Sequence, residues 1–196
     1  MFIRHLLLAG LLAGASCAQA DTVIFTDDFD STVAALNKTV FPGGWTVANG
    51  TVDVIGTNFI DVFPGNGNYV DLDGSTGDAG ELSKSLTLTG GLAYTATFSL
   101  AGSHRGGSDI VDVMFGTASA SFTLASADPF SPSSLVFTPA ASGKYTLTFA
   151  NRGGDNLGAL LDNVSVTAIP EPSGYAMTLA GLAGIGFFRR RRRLQR

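Results

Sequence analysis

The residues in this chain that could do chemistry are mostly aspartates. Fourteen of the sixteen acidic residues are aspartate, and several lie in short stretches such as TDDFD at 26–30, DLDG at 71–74 and LLDNV at 160–164. Aspartate oxygens are hard ligands that suit cations such as calcium. Aspartate also favours turns through its short side chain, so composition alone leaves both roles open.

Aromatic residues near the predicted loops indicate a second chemistry, contact with sugars. Aromatic faces cover the apolar face of a ligand while polar neighbours bond its hydroxyl groups. We predict Trp45 and Tyr69 as ligand-contacting residues, and Phe63 and Phe130 lie in similar stretches. The alternative is that these rings pack in the core or at the rim of a sheet.

Catalytic chemistry has little support, and we predict no catalytic residue and no enzyme. Once a leader is removed, His104 is the only histidine and no cysteine remains. That composition excludes a zinc site built from cysteine and histidine, and no G-x-S-x-G sequence marks a serine hydrolase. The aspartates could still supply the two carboxylates of a glycosidase, so a secreted hydrolase acting on polysaccharide is the alternative function.

Charge narrows the class of partner. Seven of the twelve basic residues lie in the two ends of the chain, so segment 21–169 keeps five basic against fifteen acidic residues, a net charge of about −10. Such a surface repels phosphate backbones. We therefore predict no nucleic-acid partner, and polysaccharide remains the candidate ligand.

The segment between the two ends predicts β-structure. Alternating or β-branched runs recur between glycine-rich turns, and Tyr94, Ala96, Phe98 and Leu100 share one face of their run. Only segment 30–40 hints at a helical turn. Ten short strands predict an all-β domain at 21–168. We expect an antiparallel sandwich, with a jelly roll as its favoured form. The ten predicted strands are 22–25, 51–55, 68–72, 82–89, 94–102, 109–116, 120–125, 134–140, 144–150 and 160–169.

Residues 1–20 predict a secretory signal peptide. Arg4 precedes the apolar stretch 6–15, and the small residues Ala18 and Ala20 form a cleavage site of the A-x-A type. We place cleavage by signal peptidase after Ala20. The alternatives are a lipoprotein leader that keeps Cys17, and a buried first helix.

Residues 169–196 predict a short membrane tail. Prolines keep the IPEPS sequence extended, and the apolar stretch 174–188 follows as a short transmembrane helix, near the lower limit of about 17 residues. A basic stop on the cytoplasmic side would leave the β-domain outside and the tail in contact with membrane lipid. The alternative is a plain tail anchor. The basic stop consists of Arg189, Arg190, Arg191, Arg192 and Arg193.

A Pro-Glu-Pro motif, a short apolar span and an arginine cluster, in this order at 169–193, resemble the PEP-CTERM sorting signal of Gram-negative bacteria. The same segment is known as an ice-binding protein C-terminal domain. The resemblance implies that Pro170, Glu171 and Pro172 are recognised by exosortase, a membrane transpeptidase, after transient anchoring in the inner membrane. It implies a final location in the cell envelope or the extracellular polymer matrix. We do not predict ice binding, because the chain has no regular T-x-T ladder.

The body resembles galactose-binding-like and carbohydrate-binding-module-like jelly rolls in the stretches 43–56, 65–77 and 160–172. The resemblance implies one calcium ion between the first and last strands, with Asp28, Asp30 and Asp162 as its ligands. The DLDG stretch, with Asp71 and Asp73, is a second candidate. The predicted function is a structural or glycan-binding module without enzymatic activity, and a calcium-stabilised adhesion module is a further alternative.

Overall fold

The structure, a computed structural model, describes residues 21–169, and its regular elements are almost all β-strands. The one helical element in that segment is the 3-10 turn Pro42–Gly44. No helix within it is long and apolar enough to cross a membrane. The strands are β1 (Thr22–Asp27), β2 (Ala35–Lys38), β3 (Trp45–Ala48), β4 (Val52–Gly56), β5 (Asn68–Asp71), β6 (Glu81–Leu88), β7 (Ala93–Ala101), β8 (Ser108–Phe115), β9 (Ala118–Ala125), β10 (Ser131–Phe137), β11 (Gly143–Asn151) and β12 (Leu160–Ile169).

The strands form two antiparallel sheets. The seven-stranded sheet has the order β10-β7-β12-β5-β4-β2, and β1 also pairs with β12. The five-stranded sheet has the order β3-β6-β11-β8-β9. The first and last strands therefore lie side by side, with Thr22 opposite Ala168. These sheets confirm the predicted all-β antiparallel sandwich.

The main core lies between the two sheets and follows the predicted alternation. The four residues of β7 predicted to share a face, Tyr94, Ala96, Phe98 and Leu100, are all buried. Intervening residues such as Thr97 are exposed. A period of two therefore places one face of each strand in the core, and a chain of about 150 residues can bury enough apolar surface for stability without disulfides.

Two strands of the structure were not predicted, β2 and β3. The hint of a helical turn in segment 30–40 is wrong, because residues Ala35–Lys38 pair with β4 instead. Asn37 adopts a left-handed φ of 55°, and its N–H donates to Asp53 Oδ1 over 2.6 Å. Pairing with a neighbouring strand decides the conformation of such short segments more than local propensity does.

A smaller apolar cluster lies on the outer face of the seven-stranded sheet. Tyr69 alternates with Val70, which belongs to the main core, so the Tyr69 side chain points to the opposite face. Phe63 from the β4–β5 loop and Phe130, which precedes β10, pack against this second cluster. Its buried members are Ile55, Tyr69, Ala101 and Leu160.

Candidate functional site

Three aromatic rings meet at the outer face of the seven-stranded sheet, and we call this group, Phe63, Phe130 and His104, the aromatic edge. The ring centre of Phe63 lies 4.9 Å from that of Phe130 and 4.3 Å from that of His104. Phe63 and Phe130 are half-buried and His104 is exposed. The group therefore offers a partly exposed aromatic surface on top of a buried apolar cluster.

Tyr69 holds the loop that carries Phe63. Its hydroxyl accepts hydrogen bonds from the Val62 N–H over 2.8 Å and the Phe63 N–H over 3.0 Å, and it donates to Asp61 Oδ1 over 3.2 Å. Burial raises the pKa of Tyr69, which keeps the phenol protonated as a donor. The Tyr69 hydroxyl thus positions the aromatic edge.

Neither aromatic residue predicted to contact a ligand presents a free ring. Tyr69 is 0% exposed and Trp45 is 3% exposed. Trp45 packs edge-on against Phe25, with ring centres 5.5 Å apart, and its Nε1–H donates to Asp27 Oδ2 over 2.8 Å. The structure contradicts the prediction for these two residues, because a ring that stacks on a sugar needs an open face.

An ion pair between the exposed Arg105 and the buried Asp71 lies beside the aromatic edge. Arg105, which follows His104, places its Nη2 2.5 Å from Asp71 Oδ2 at the end of β5. Burial raises the pKa of Asp71 to about 8, although the Arg105 guanidinium acts in the opposite direction. Asp53 lies directly opposite Asp71 on β4 and accepts the Ser75 hydroxyl over 2.6 Å. Charged and hydroxyl groups therefore lie on the same face as the aromatic rings.

The three predicted calcium ligands form what we call the strand-junction cluster, Asp28, Asp30 and Asp162. Asp162 is 1% exposed. Burial, together with the charges of Asp30 and Asp28, raises the pKa of Asp162 to about 7. Asp162 Oδ2 accepts the side-chain amide of Asn66 over 3.1 Å. The three carboxylates therefore lie within electrostatic reach of one another.

The three carboxylates of the strand-junction cluster do not lie close enough together to bind a metal ion by themselves. Within residues 21–169, no three Asp, Glu, His or Cys side chains group closely enough to hold a metal ion. Asp28 Oδ1 accepts the Asp30 N–H over 3.2 Å, and Asp30 Oδ1 accepts the Asn68 N–H over 2.7 Å. A calcium ion at this position would need backbone or amide oxygens as well.

Asp71 and Asp73 were the second pair of candidate calcium ligands. Asp71 is bonded to Arg105, whereas Asp73 contacts a different set of residues. Asp73 Oδ2 accepts the N–H groups of Gly154 over 2.8 Å and Asp155 over 3.3 Å. Asp109, at the start of β8, also lies close enough for the charge of Asp73 to raise its pKa. Asp109 was not predicted as a site residue, since it is one acidic residue within an alternating strand and its neighbours come from distant loops.

The predicted signal peptide, the sorting motif Pro170, Glu171 and Pro172, the transmembrane helix 174–188 and the arginine cluster lie outside the residues that the structure describes. A comparison with protein families supplies evidence for the tail. The chain matches the PEP-CTERM protein-sorting motif over residues 168–193. No curated protein matches the sequence.

Solved structures similar to this chain include a xylan-binding domain and an adhesin domain. The CBM22-1 xylan-binding domain of Paenibacillus barcinonensis Xyn10C superposes with a TM-score of 0.57 at 11% identity, over 78% of this chain and 98% of that chain. The K3 cleaved adhesin domain of Lys-gingipain from Porphyromonas gingivalis gives 0.52 at 14% identity, over 76% and 99%.

A two-module xylanase of Clostridium thermocellum, Xyn10B CBM22-1-GH10, gives a TM-score of 0.50 at 13% identity, over 78% of this chain and 29% of that chain. At these identities the likeness shows the fold alone. The chain thus carries a PEP-CTERM protein-sorting motif directly behind an all-β domain with the jelly-roll fold of carbohydrate-binding modules.

Proposed function

We propose that the protein is an exported glycan-binding module without enzymatic activity, delivered by an exosortase to the cell envelope or the extracellular matrix. The sorting motif supports the export; it begins at residue 168, within the last two residues of β12. The aromatic edge is the observation that supports glycan contact. Each part has its own test.

The aromatic edge has the features that sugar recognition requires. Phe63 and Phe130 present apolar surface, and the buried cluster below and the Tyr69 hydroxyl fix their positions. His104 and Arg105 supply polar groups at the margin. Ligand sites combine preformed apolar surface with a few fixed polar groups in this way, so one or two sugar rings would lie across Phe63 and Phe130.

A neutral polysaccharide is the ligand class that fits best. Segment 21–169 carries a net charge of about −10, which disfavours acidic polymers. A similar solved structure is described as a xylan-binding domain, and this supports xylan as the first probe. The same likeness favours binding over hydrolysis.

A polysaccharide-binding screen combined with an assay of reducing ends tests this function. Retention of the full chain on a glycan without release of reducing ends supports the module, and released ends support the alternative hydrolase. Phe63→Ala should weaken binding by about fivefold to thirtyfold, corresponding to about 1–2 kcal/mol. Phe122→Ala is the matched control, since Phe122 is also half-buried but lies on the five-stranded sheet.

Export and sorting are tested separately. The intact mass of the protein isolated from its natural host should match a chain that starts at Asp21 and ends near the Pro-Glu-Pro motif. A chain of full length in the cytosol would contradict the sorting proposal and leave the glycan test unaffected.

We also propose that a calcium ion at the strand-junction cluster joins the first and last strands. Asp162 would be the central ligand, with Asp28, Asp30 and nearby backbone oxygens completing the shell. The supporting observation is a carboxyl buried among other acids, since a cation would offset both the burial and the repulsion. Calcium would act structurally, without a catalytic role.

A further inference from the structure

Two loops and the start of β8 meet at one end of the sandwich. Asp73 belongs to the β5–β6 loop and accepts N–H groups from the β11–β12 loop through its Oδ2. Asp109 lies at the start of β8 on the other sheet, and the charges of Asp155 and Asp73 both act on it. We call Asp73, Asp109 and Asn156 the loop-end cluster.

The loop-end cluster contains buried oxygens without a partner. Asp73 is 0% exposed and Asp109 is 7% exposed, yet Asp73 Oδ1 and Asp109 Oδ2 accept no hydrogen bond within the described segment. Asn156 Oδ1 is a third buried oxygen without a partner. Buried carboxylate oxygens are costly unless a donor or a cation satisfies them, so these two oxygens indicate a ligand. Asn156 follows Gly154 and Asp155, whose N–H groups bind Asp73, and its amide oxygen lies in the same loop.

The charges around the cluster favour a cation as this ligand. Asp71, Asp73, Asp109 and Asp155 lie near one another, and Arg105, the basic residue in reach, is bonded to Asp71. The Arg105 charge also reaches Asp109 and lowers its pKa, but one arginine faces four acids, so the group as a whole keeps a negative charge. Asn151 Nδ2 is the donor near these oxygens: a Cβ at Gly153 would lie 2.4 Å from Asp73 Oδ2 and 2.5 Å from Asn151 Nδ2. This amide nitrogen is buried without a hydrogen-bond partner in the described part of the chain, although it is close enough to lower the pKa of Asp109. It therefore satisfies neither carboxylate oxygen, and a donor is not a cation ligand.

We propose that the loop-end cluster binds a divalent cation of the calcium type through Asp73 Oδ1, Asp109 Oδ2 and Asn156 Oδ1. Carboxylate and amide oxygens on flexible glycine-rich loops suit calcium, which accepts six to eight oxygen ligands in variable geometry. The ion would tie the two sheets together at their loop end. This site is separate from the strand-junction cluster and does not depend on glycan binding.

Calcium calorimetry and thermal melting of the full chain, purified in detergent and stripped with a chelator, test this site. The Asp162→Asn variant provides the background, since it weakens binding at the strand-junction cluster. In that background, calcium at about a hundred times its Kd should raise Tm by about 5–10 °C. Adding Asp109→Asn should weaken the remaining calcium binding at least about tenfold, whereas adding Asp112→Asn, on the same strand but outside the cluster, should leave it unchanged.

A second readout separates a cation site from a merely structural carboxylate. With chelator present, Asp109→Asn should melt at or above the temperature of the unsubstituted protein, because it removes a repelling charge; with calcium present it should melt below it. A lower Tm in both conditions would mean that a buried water satisfies the cluster and would overturn the proposal. If Asp109→Asn does not fold, Asn156→Gly replaces it, and calcium binding unchanged by that substitution would also overturn the proposal.

Discussion

The strand-junction cluster and the loop-end cluster both bury aspartates, but different groups surround their oxygens. Asp162 Oδ1 and Oδ2 accept N–H groups from Asn163 and Asn66. Asp73 Oδ1 and Asp109 Oδ2 accept none within the described segment. Amide donors stabilise both oxygens of Asp162 from within the chain. In the second cluster Asp73 Oδ2 accepts two backbone N–H groups, but Asp73 Oδ1 and Asp109 Oδ2 have no such donor, so the two clusters should respond differently to the same cation.

Both clusters hold carboxyl groups that the fold makes harder to ionise. Burial raises the pKa of Asp162 to about 7 and that of Asp109 to about 6, both above the ordinary value. A group whose pKa is higher in the folded state stabilises the fold at low pH, and this contribution is lost as pH rises through the folded pKa. A bound cation would reverse that loss.

The largest effect should come from removing calcium at neutral pH. Because two sites would lose their ions, chelator should lower the Tm of the full chain at pH 7.5 by about 5–10 °C or more. At pH 5 the difference should shrink, because Asp162 and Asp109 bind protons instead. Thermal melts in calcium and in chelator at both pH values measure this, and equal shifts at the two pH values would contradict it.

In chelator, stability should fall as pH rises from about 4, the ordinary pKa of aspartate, to about 7, the folded pKa of Asp162. Ionisation of Asp109 and Asp162 should cost on the order of 1–2 kcal/mol in total once solvent screening is included. Asp109→Asn should remove the part of the fall that ends near pH 6, and Asp162→Asn the part that continues up to about pH 7. Urea unfolding at a series of pH values measures both, and a stability that rises over this range would contradict the assigned directions.

The amide donors should distinguish the clusters. Asn66→Ala removes an N–H donor to Asp162 Oδ2 and should destabilise the fold by about 1 kcal/mol with or without calcium. Asn156 has a left-handed φ of 66°, which glycine adopts without strain. Asn156→Gly should therefore lower the free energy of unfolding mainly when calcium is present. Paired urea titrations compare the two variants; if they show the same calcium dependence, the distinction between the clusters fails.

The smallest effect should come from a surface ion pair. Arg152 and Asp112 are 2.6 Å apart at the surface, where water screens the attraction. Asp112→Asn should therefore leave the Tm unchanged within error in calcium and in chelator. A calcium-dependent shift in this variant would mean that the loop-end cluster extends farther along β8 than the proposal states.

Local patterns predicted the strands well. All ten predicted strands are present, since alternation over seven to ten residues, as in β7 and β12, is visible in the sequence. The four-residue strands β2 and β3 were missed because a segment of that length has little periodicity, and its partners in β4 and β6 decide its conformation.

Sites built from distant segments were harder to predict. Trp45 and Tyr69 lie near loop sequences, which suggested exposed rings. Inside the fold their polar atoms donate to Asp27 and Asp61, and no local sequence pattern reveals these partners. The proximity of Asp28 and Asp30 to Asp162 was expected from the family resemblance, and their role as calcium ligands stays a prediction. Asp109 joins Asp73 only through the packing of the two sheets.

We propose above all that the aromatic edge binds a neutral glycan. The most direct measurement compares the affinity of the full chain and of the Phe63→Ala/Phe130→Ala double variant for the glycan that the screen identifies, with Phe122→Ala as control. We predict that the double variant keeps its fold by circular dichroism but loses binding by about thirtyfold or more, while the control binds normally. A folded double variant with unchanged affinity would contradict the claim.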